Sequence, residues 1–250
     1  MARGQAKLAI AEGVSVWVME APDGFGEPDF HSHHALQISL ALAGTLTLAT
    51  HDRVHHGPAL AVASDAPHRL GGHGLIVLVF VEPESPIGRA LSLSFASEPI
   101  VALDAERLEP AMAPLRATFD EKLDRAALLA AGHAALQALA PPPAAAPIDP
   151  RVRRIIDHAI ANLERPLTLV DGAHGVHLSP GRLRHLFVEQ TGLAFKTYLL
   201  WLRLMKAIER YSEGRSLTEA AHDAGFADSA HFSRTFRRTF GVPATTLTRI

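Results

Sequence analysis

The stretch that decides the fold of this chain is residues 217–242, LTEAAHDAGFADSAHFSRTFRRTFGV. Small and apolar residues recur there at i, i+3, i+4 and i+7, which is the spacing of one buried helical face: Leu217, Ala220, Ala221 and Ala224. Gly225 follows directly, where a helix end favours a residue that accepts a positive φ. The stretch therefore predicts a short helix that ends in a tight turn.

A second helix is predicted after this turn. Asp228 and Ser229 can cap its start. Three phenylalanines spaced four residues apart form its apolar stripe: Phe232, Phe236 and Phe240. Its other faces carry arginines and short polar side chains. Two helices joined by a glycine turn, the second of them basic, are what helix-turn-helix recognition of DNA requires.

The same residues resemble the C-terminal signature of the AraC/XylS-type transcription regulators. In that family a run G-F-x-x-x-x-x-F-x-R-x-F-[KR]-[KR]-x-F-G-x-x-P closes the DNA-binding domain. This chain fills the run in register from Gly225 to Gly241 with Gly225, Phe226, Phe232, Arg234, Phe236, Arg237, Arg238, Phe240 and Gly241, and Pro243 follows one residue earlier than in the run. The resemblance implies a regulator with two helix-turn-helix units behind an N-terminal sensor domain.

The composition favours a globular protein and excludes several classes of site. The chain has 250 residues, of which 48% are hydrophobic, so one or two domains are expected. It contains 0 cysteines, which excludes disulfides, thiolate metal ligands and cysteine nucleophiles. No apolar run reaches the roughly 18–20 residues of a membrane span, and the first residues lack the apolar core of a secretory signal. We expect a cytoplasmic protein without a membrane partner.

The charge is distributed unevenly along the chain. The net charge is −2, but from Ile148 onward 15 Lys and Arg residues face 10 Asp and Glu residues. That part therefore carries +5, and the preceding part carries −7. A basic C-terminal half is consistent with binding to nucleic acid.

The N-terminal part predicts an all-β barrel or sandwich. Short apolar runs are separated by glycine, proline and aspartate at residues 14–18, 36–42, 45–49, 59–63 and 75–81. Between residues 31 and 42 the odd positions are small or polar and the even positions are apolar. One face of this strand is therefore expected to line a space for a ligand inside a barrel.

A candidate metal site lies in the same region. Its spacing resembles the first cupin motif, H-x-H-x-x-x-E-x-x-x-x-x-x-G, at His31, His33, Gln37 and Gly44, and residues 65–68 resemble the end of the second motif at His68. Gln37 stands where the motif has glutamate, which removes one negative charge. His31, His33 and His68 with the Gln37 amide could bind nickel, zinc, cobalt or copper. The alternatives are a metal-free site for an organic effector and a catalytic cupin.

The residues between the barrel and the basic half predict helices and then a linker. Residues 106–119 and 125–139 carry apolar residues at helical spacing. The resemblance implies that helices at this place pair two sensor domains, while the alternative is that they cap the barrel. Residues 140–147, APPPAAAP, predict an extended, semi-rigid linker.

The basic half also predicts a helix-turn-helix unit that precedes the one at residues 217–242, so the earlier one is the first unit and the later one the second. Helices are expected over residues 150–163, 167–176, 179–190 and 195–213. The resemblance implies that the last of these is a connector between the two units, and its Arg203, Lys206 and Arg210 are predicted to contact phosphates. The family resemblance places the outward residues of both recognition helices on base edges: Gly181, Arg182, Arg184 and His185, then Ser229, Ala230, His231, Ser233 and Arg234. Arg237 and Arg238 are predicted phosphate contacts.

The predicted fold class is α+β, with an N-terminal cupin-like β-barrel and a C-terminal all-α domain with two helix-turn-helix motifs. The predicted domains are an effector domain at residues 1–100, a helical dimerisation segment at 101–140, a linker at 141–149 and a DNA-binding domain at 150–250. We expect an effector-responsive regulator rather than an enzyme, whose partners are promoter DNA, a small-molecule or metal effector, RNA polymerase and a second copy of the chain. The competing function is a metal-dependent cupin oxygenase or isomerase fused to a DNA-binding domain.

Overall fold

The computed structural model describes residues 6–11, 13–26, 28–94, 98–118, 124–140, 147–173 and 176–247. Contacts divide the chain into two compact units. The first unit comprises Met1–Ala145 together with Phe236–Ile250, and the second comprises Ala146–Thr235. The domain boundaries above remain predictions, and residues 141–146 of the predicted linker lie outside the described residues.

The first unit is built on one antiparallel sheet. Its strands are β1 Ala6–Ala11, β2 Val14–Ala21, β3 Leu36–Ala49, β4 Val54–His56, β5 Ala59–Val62, β6 Arg69–Val81 and β7 Ile100–Ala102. The hydrogen-bonded order is β1-β2-β6-β3-β5-β7, with β4 paired to β3. Within the described residues β1 and β7 form the two edges of the sheet and do not pair with each other. A mixed α and β chain with an N-terminal antiparallel sheet is confirmed, and barrel closure stays a prediction.

Three helices accompany the sheet: α1 Pro86–Ser94, α2 Ala105–Thr118 and α3 Arg125–Leu139. The even-numbered residues of β3 point to the helical side, where Ile38 and Leu40 join one buried cluster with Leu108, Leu115 and Leu136. The helices predicted at residues 106–119 and 125–139 thus cover one face of the sheet. Phe119 lies outside the described residues, and pairing of two copies through these helices stays a prediction.

The opposite face of the sheet is packed rather than roomy. The register places Gln37 opposite Phe80 and Ser39 opposite Leu78, and cross-strand partners share a face. Trp17 also lies on this face, because it pairs with Leu78. Gln37 and Ser39 are only 2% and 0% exposed. Two buried aromatic rings of the neighbouring strands, Phe80 and Trp17, share this face with the small, polar residues that were expected to leave space for a ligand.

The predicted strands are present, but two of them are joined and further elements accompany them. Residues 36–42 and 45–49 form one continuous strand, β3, with a register shift between Ala41 and Ala43 where a break was expected. Gly44 follows this shift and pairs with Gly74, because two glycines allow close approach of the two backbones. Strands β1, β4 and β7 and helix α1 were not predicted.

The second unit is helical. Its helices are α4 Pro150–Ala161, α5 Pro180–Thr191, α6 Phe195–Ser212 and α7 Leu217–Asp223, and α8 Ser229–Phe240 begins in this unit. The caps follow the sequence: Asp149 accepts from the Arg151 amide, and Ser179 accepts from the Arg182 amide. The core contains the large side chains Ile155, Phe187, Tyr198, Ile208 and Phe232.

The first helix of the first helix-turn-helix unit differs from the prediction. In place of an α-helix over residues 167–176, the described residues form a turn and a 3-10 helix at Asp171–Ala173. The Asp171 carboxylate accepts from the Thr168 amide, as a helix start requires. Gly172 follows, and glycine lowers helix stability by about 1 kcal/mol relative to alanine.

Across the described residues no helix combines the length and apolar character that crossing a membrane demands.

Candidate functional site

Three buried histidines come together at one point of the first unit. His31 and His68 form an isolated antiparallel bridge, and His33 lies two residues further along the chain that leads into β3. The three side chains are 7%, 3% and 0% exposed for His31, His33 and His68. One ring nitrogen from each can be chosen so that all three lie within 4.8 Å of one another. We call these three residues the histidine triad.

Backbone carbonyls orient each ring of the histidine triad in the same way. The Nδ1 atom of His31 lies 2.9 Å from the Asp29 carbonyl oxygen, that of His33 lies 2.8 Å from Ala35 and that of His68 lies 2.8 Å from Ala66. Each Nδ1 therefore donates its proton, which leaves the lone pair on Nε2. This arrangement, in which a second group fixes the tautomer, is the usual support of a metal-binding histidine.

Burial keeps the histidine triad neutral at physiological pH. Burial lowers the pKa of His33 to about 4, and the adjacent His31 acts in the same direction. Burial also lowers the pKa of His68 well below its usual value, assisted by its two neighbours. For His31, burial lowers the pKa and the hydrogen bond to the Asp29 carbonyl opposes this only in part. Neutral imidazole is the form that binds a metal ion.

The Nε2 atom of His68 has no hydrogen-bond partner among the described residues, although it is buried. A buried acceptor without a partner is costly, by roughly 1–3 kcal/mol. The ring cannot turn over to satisfy this nitrogen, because its Nδ1 atom is hydrogen-bonded to the Ala66 carbonyl. An electron-pair acceptor placed among the three rings would satisfy it.

Gln37 lies beside the histidine triad and contacts one of its members. Its Oε1 atom lies 3.0 Å from the Nε2 atom of His33, and its Nε2 donates to the Ser39 hydroxyl at 2.8 Å. A neutral His33 that donates through Nδ1 accepts at Nε2, so in that form the amide is turned to present its NH2 to the ring. The contact with Gln37 raises the pKa of His33, against the larger lowering by burial. The role of Gln37 as a metal ligand stays a prediction.

The other N-terminal histidines occupy different positions. His34 is buried and its Nε2 lies 2.8 Å from a Glu84 carboxylate oxygen. The sequence carries no signal for this pair, since the two residues are fifty positions apart. The exposed ring of His73 lies 2.9 Å from the Thr45 hydroxyl, and His51 stacks on Phe30 with ring centroids 4.2 Å apart. Within the described residues none of these joins the histidine triad.

The second helix-turn-helix unit is formed by α7 and α8. A capping box starts α7, in which the Ser216 hydroxyl and the Glu219 carboxylate each bond the other's backbone amide. Gly225 ends the turn with φ at +79°. The Asp228 carboxylate then accepts from the His231 amide at the start of α8. The structure thus has the turn and both helices at the predicted positions.

Arg203 of helix α6 binds the segment after α4, against which Gly225 packs. Its Nε donates to the Leu163 carbonyl at 2.9 Å, and its Nη2 donates to the Arg165 carbonyl at 2.7 Å. A Cβ on Gly225 would lie 2.5 Å from the same Leu163 oxygen and 3.1 Å from the Arg203 Nε. Arg203 therefore has a structural role, and its phosphate contact stays a prediction. Lys206 and Arg210 pair with glutamates on their own helix or at its end.

The predicted DNA-reading residues lie mostly on exposed surface. On α5 the four are exposed: Gly181, Arg182, Arg184 and His185. On α8 Ala230 and Arg234 are exposed, and Ser229, His231 and Ser233 are partly so. The Ser233 hydroxyl donates to the Ser229 carbonyl at 2.8 Å, which engages its proton within the helix. Arg238 is exposed, and the Nε atom of Arg237 lies 2.8 Å from an Asp29 carboxylate oxygen. The DNA contacts of all these residues stay predictions.

Comparisons with known proteins bear on the C-terminal part of the chain. The family described as "Helix-turn-helix domain" matches residues 173–250. The HTH-type transcriptional regulator GbdR of Pseudomonas aeruginosa is 34% identical over 95 residues, which are 38% of this chain and 26% of that protein. The transcriptional activator NphR of a Rhodococcus species is 26% identical over 193 residues, 75% of this chain and 48% of that protein. The chain thus spans at most about half the length of these relatives.

A solved structure resembles the whole chain. The crystal structure of ToxT from Vibrio cholerae O395 matches with a TM-score of 0.57 at 11% identity and covers 100% of both chains. At this identity the likeness concerns the fold. The family match identifies a helix-turn-helix domain at residues 173–250, and the relatives named above are transcription regulators.

Proposed function

We propose that the protein is an effector-responsive transcription regulator that reads promoter DNA with two helix-turn-helix units and senses a divalent transition metal through the histidine triad. One observation carries the sensing part: three buried imidazoles each offer a ring nitrogen, and these nitrogens lie within 4.8 Å of one another. The helix-turn-helix match and the regulators among the relatives support the DNA-reading part.

The residues fit a metal ion by their chemistry. Imidazole nitrogens suit zinc, copper, nickel and cobalt, and the affinity order alone does not select among these. The candidate nitrogens lie within 4.8 Å of one another, so the three rings could hold one ion between them. His31, His33 and His68 would hold the ion. Gln37 would either add its amide oxygen or keep its hydrogen bond beside His33.

The proposed DNA contacts follow from the chemistry of the exposed side chains. Arg182, Arg184 and Arg234 can bond guanine bidentately in the major groove, whereas His185, His231 and the serines discriminate less. Arg238 would contact phosphate, which adds affinity without sequence preference. We also propose a homodimer formed through residues 101–140, since paired chains match paired half-sites on DNA. RNA polymerase is a proposed partner at the promoter.

An organic effector is the second candidate for the sensing role. One ToxT structure, with a TM-score of 0.54 and 12% identity to this chain, is described as bound to an unsaturated fatty acid. That ligand belongs to ToxT, but it supports a small molecule as an alternative effector here. A catalytic cupin is less well supported, because the named relatives are regulators.

The test uses the full-length chain and DNA selected from random duplexes. Fluorescence anisotropy then measures affinity for the selected duplex and for a scrambled one, first in chelator and then with zinc or nickel. A preference of at least a hundredfold for the selected duplex supports the reader, since specific sites are typically 10³-fold or more tighter than non-specific DNA. Equal affinity for both duplexes would rule out sequence-specific DNA binding. If the titration curves with each metal coincide with the curve in chelator, metal sensing alone is ruled out.

A further inference from the structure

The C-terminal segment of the chain is part of the first unit. Residues 236–250 group by contacts with the sheet and not with the helical unit, and they are described as far as Leu247. Phe240 is 6% exposed, and its ring centroid lies 5.0 Å from that of Trp17, 5.5 Å from Phe80 and 6.0 Å from His33. The end of α8 thus packs against a member of the histidine triad.

A chain of hydrogen bonds joins this segment to the triad. The Asp29 amide donates to the Gly241 carbonyl at 2.9 Å. The Asp29 carbonyl in turn accepts from the Nδ1 atom of His31 at 2.9 Å. The residue that orients His31 is therefore held in place by Gly241.

Gly241 also fits closely against His31. Its φ is +73°, a conformation that L side chains rarely adopt. A Cβ at this position would lie 2.5 Å from the Asp29 carbonyl oxygen and 2.5 Å from the Nδ1 atom of His31. Any side chain there would displace the two atoms that form the hydrogen bond supporting the ring.

We propose that residues 236–247 are the element through which metal occupancy of the histidine triad is transmitted to helix α8. This inference rests on the proposed metal-sensing function. Packing of the segment fixes Asp29, Asp29 fixes the His31 ring with Nε2 directed to the ion, and a bound ion in turn strengthens the Nδ1 hydrogen bond. Metal binding and segment packing therefore stabilise each other, and by linkage the coupling is the same in both directions.

The coupling has a consequence for DNA. The last residues of α8, which carry Arg237, belong to the packed segment. The Arg237 guanidinium is paired with Asp29 when the segment is packed. Metal binding is therefore expected to favour the state in which Arg237 pairs with Asp29 instead of contacting a DNA phosphate.

The first experiment measures zinc affinity by competition with a chromophoric chelator in wild-type, Gly241→Ala and Gly192→Ala proteins. Gly192 has φ at +78°, and a Cβ there would meet no described atom within 4 Å, so it reproduces the backbone strain without the contact. We expect Gly241→Ala to weaken zinc binding about 10- to 100-fold, the range for groups that support metal ligands. Gly192→Ala should stay within about twofold of wild type on the same argument.

The second experiment does not depend on folding of the glycine variant. Trp201→Phe leaves Trp17 as the single tryptophan of the chain, which has 2, and Trp17 contacts Phe240. Zinc is redox-inactive and has a filled d shell, so it does not itself quench tryptophan fluorescence. It should lower the acrylamide quenching constant of Trp17 by about twofold or more. It should not do so when His68→Ala is added.

The outcomes separate the two proposals. Zinc binding to wild type with equal affinity in both glycine variants and unchanged Trp17 quenching overturns the coupling and leaves the metal site standing. Absence of zinc binding to the wild-type protein overturns both. If Gly241→Ala unfolds by circular dichroism, the Trp17 measurement alone decides: protection supports the coupling, and its absence overturns it.

Discussion

His31 and His68 are joined by a two-way backbone bridge, in which the amide of each donates to the carbonyl of the other at 2.9 Å. The bridge places their imidazole rings 4.3 Å apart between centroids, although the residues come from distant parts of the sequence. The separation of these two rings is thus set by backbone pairing, which side-chain substitutions nearby leave in place. The proximity of the triad is a property of the fold.

Removal of one ring should abolish metal-dependent stabilisation. We expect zinc or nickel at a hundred times its dissociation constant to stabilise the chelator-stripped protein by about 2.7 kcal/mol, a melting shift of several degrees. His68→Ala should lose the shift, because it removes a buried Nε2 that has no hydrogen-bond partner among the described residues. His73→Ala, which removes an exposed imidazole, is the control. Equal shifts in the two variants would contradict the assignment.

Acid should destabilise the metal-free protein through the same rings. Unfolded histidine has a pKa of about 6.5, whereas burial lowers the pKa of folded His33 to about 4. Below pH 6.5 the unfolded chain therefore takes up a proton that folded His33 does not, and stability falls until pH approaches 4. His31 and His68 act in the same direction.

The contribution of His33 alone is on the order of 3 kcal/mol, from about 1.4 kcal/mol per pKa unit. This part of the free energy of unfolding is fully present above about pH 6.5 and is lost as the pH falls to about 4. Urea unfolding midpoints measured in chelator between pH 7.5 and 4.5 test it. His33→Gln should flatten the pH dependence, and His73→Gln should leave it unchanged. A pH dependence equally steep in His33→Gln would refute the assignment.

Exposed arginines on the recognition helices should carry sequence-specific binding. Arg184→Ala and Arg234→Ala are each expected to cost about 1–3 kcal/mol on the selected duplex, because a bidentate contact to guanine is lost. Arg215→Ala removes the same charge from an exposed position outside α5 and α8. Anisotropy titrations on specific and scrambled duplexes separate the effects. If each arginine variant loses no more than Arg215→Ala, neither residue reads bases.

The turn of the second helix-turn-helix unit should tolerate no side chain. Gly225→Ala adds left-handed strain of about 1–2 kcal/mol and also places a Cβ 2.5 Å from the Leu163 carbonyl oxygen. Gly214→Ala has similar strain, with φ at +89°, but a Cβ there would meet no described atom within 4 Å. Denaturant unfolding should therefore show a larger loss for Gly225→Ala. Equal losses would mean that the contact with Leu163 relaxes freely.

Local signals predicted much of this fold. Helix α3 begins and ends at the predicted residues, where Asp124 accepts from the Ala127 amide as an N-cap. The glycine turn before α8 was likewise written in the sequence. Gly44 was a misleading signal, because it marked a strand break whereas the structure has a close approach of β3 and β6.

Long-range pairings could not be predicted from the same signals. The histidine triad was foreseen through spacing that resembles a known motif, but the carbonyls that fix its tautomers are visible only in the structure. The Arg203 bonds to Leu163 and Arg165 join positions about forty residues apart. A basic residue on a helix predicts a phosphate contact as readily as a structural bond, so the sequence could not distinguish them. The hydrogen bond between the Asp29 amide and the Gly241 carbonyl likewise joins distant parts of the chain, and no local pattern indicates it.

Asp29→Ala should increase affinity for DNA and its dependence on salt. The Arg237 and Asp29 side chains are 61% and 56% exposed, so their ion pair stabilises the packed segment only weakly, by about 0–1 kcal/mol. Release of Arg237 for one more phosphate contact should steepen the slope of log affinity against log salt by about 0.9. Glu20→Ala, which removes an acidic group from an exposed position of β2, controls for net charge. Titrations at several salt concentrations with scrambled duplex measure both slopes. A slope shared by the two variants would show that Arg237 does not reach phosphate, and that its pairing with Asp29 serves only the packing of residues 236–247.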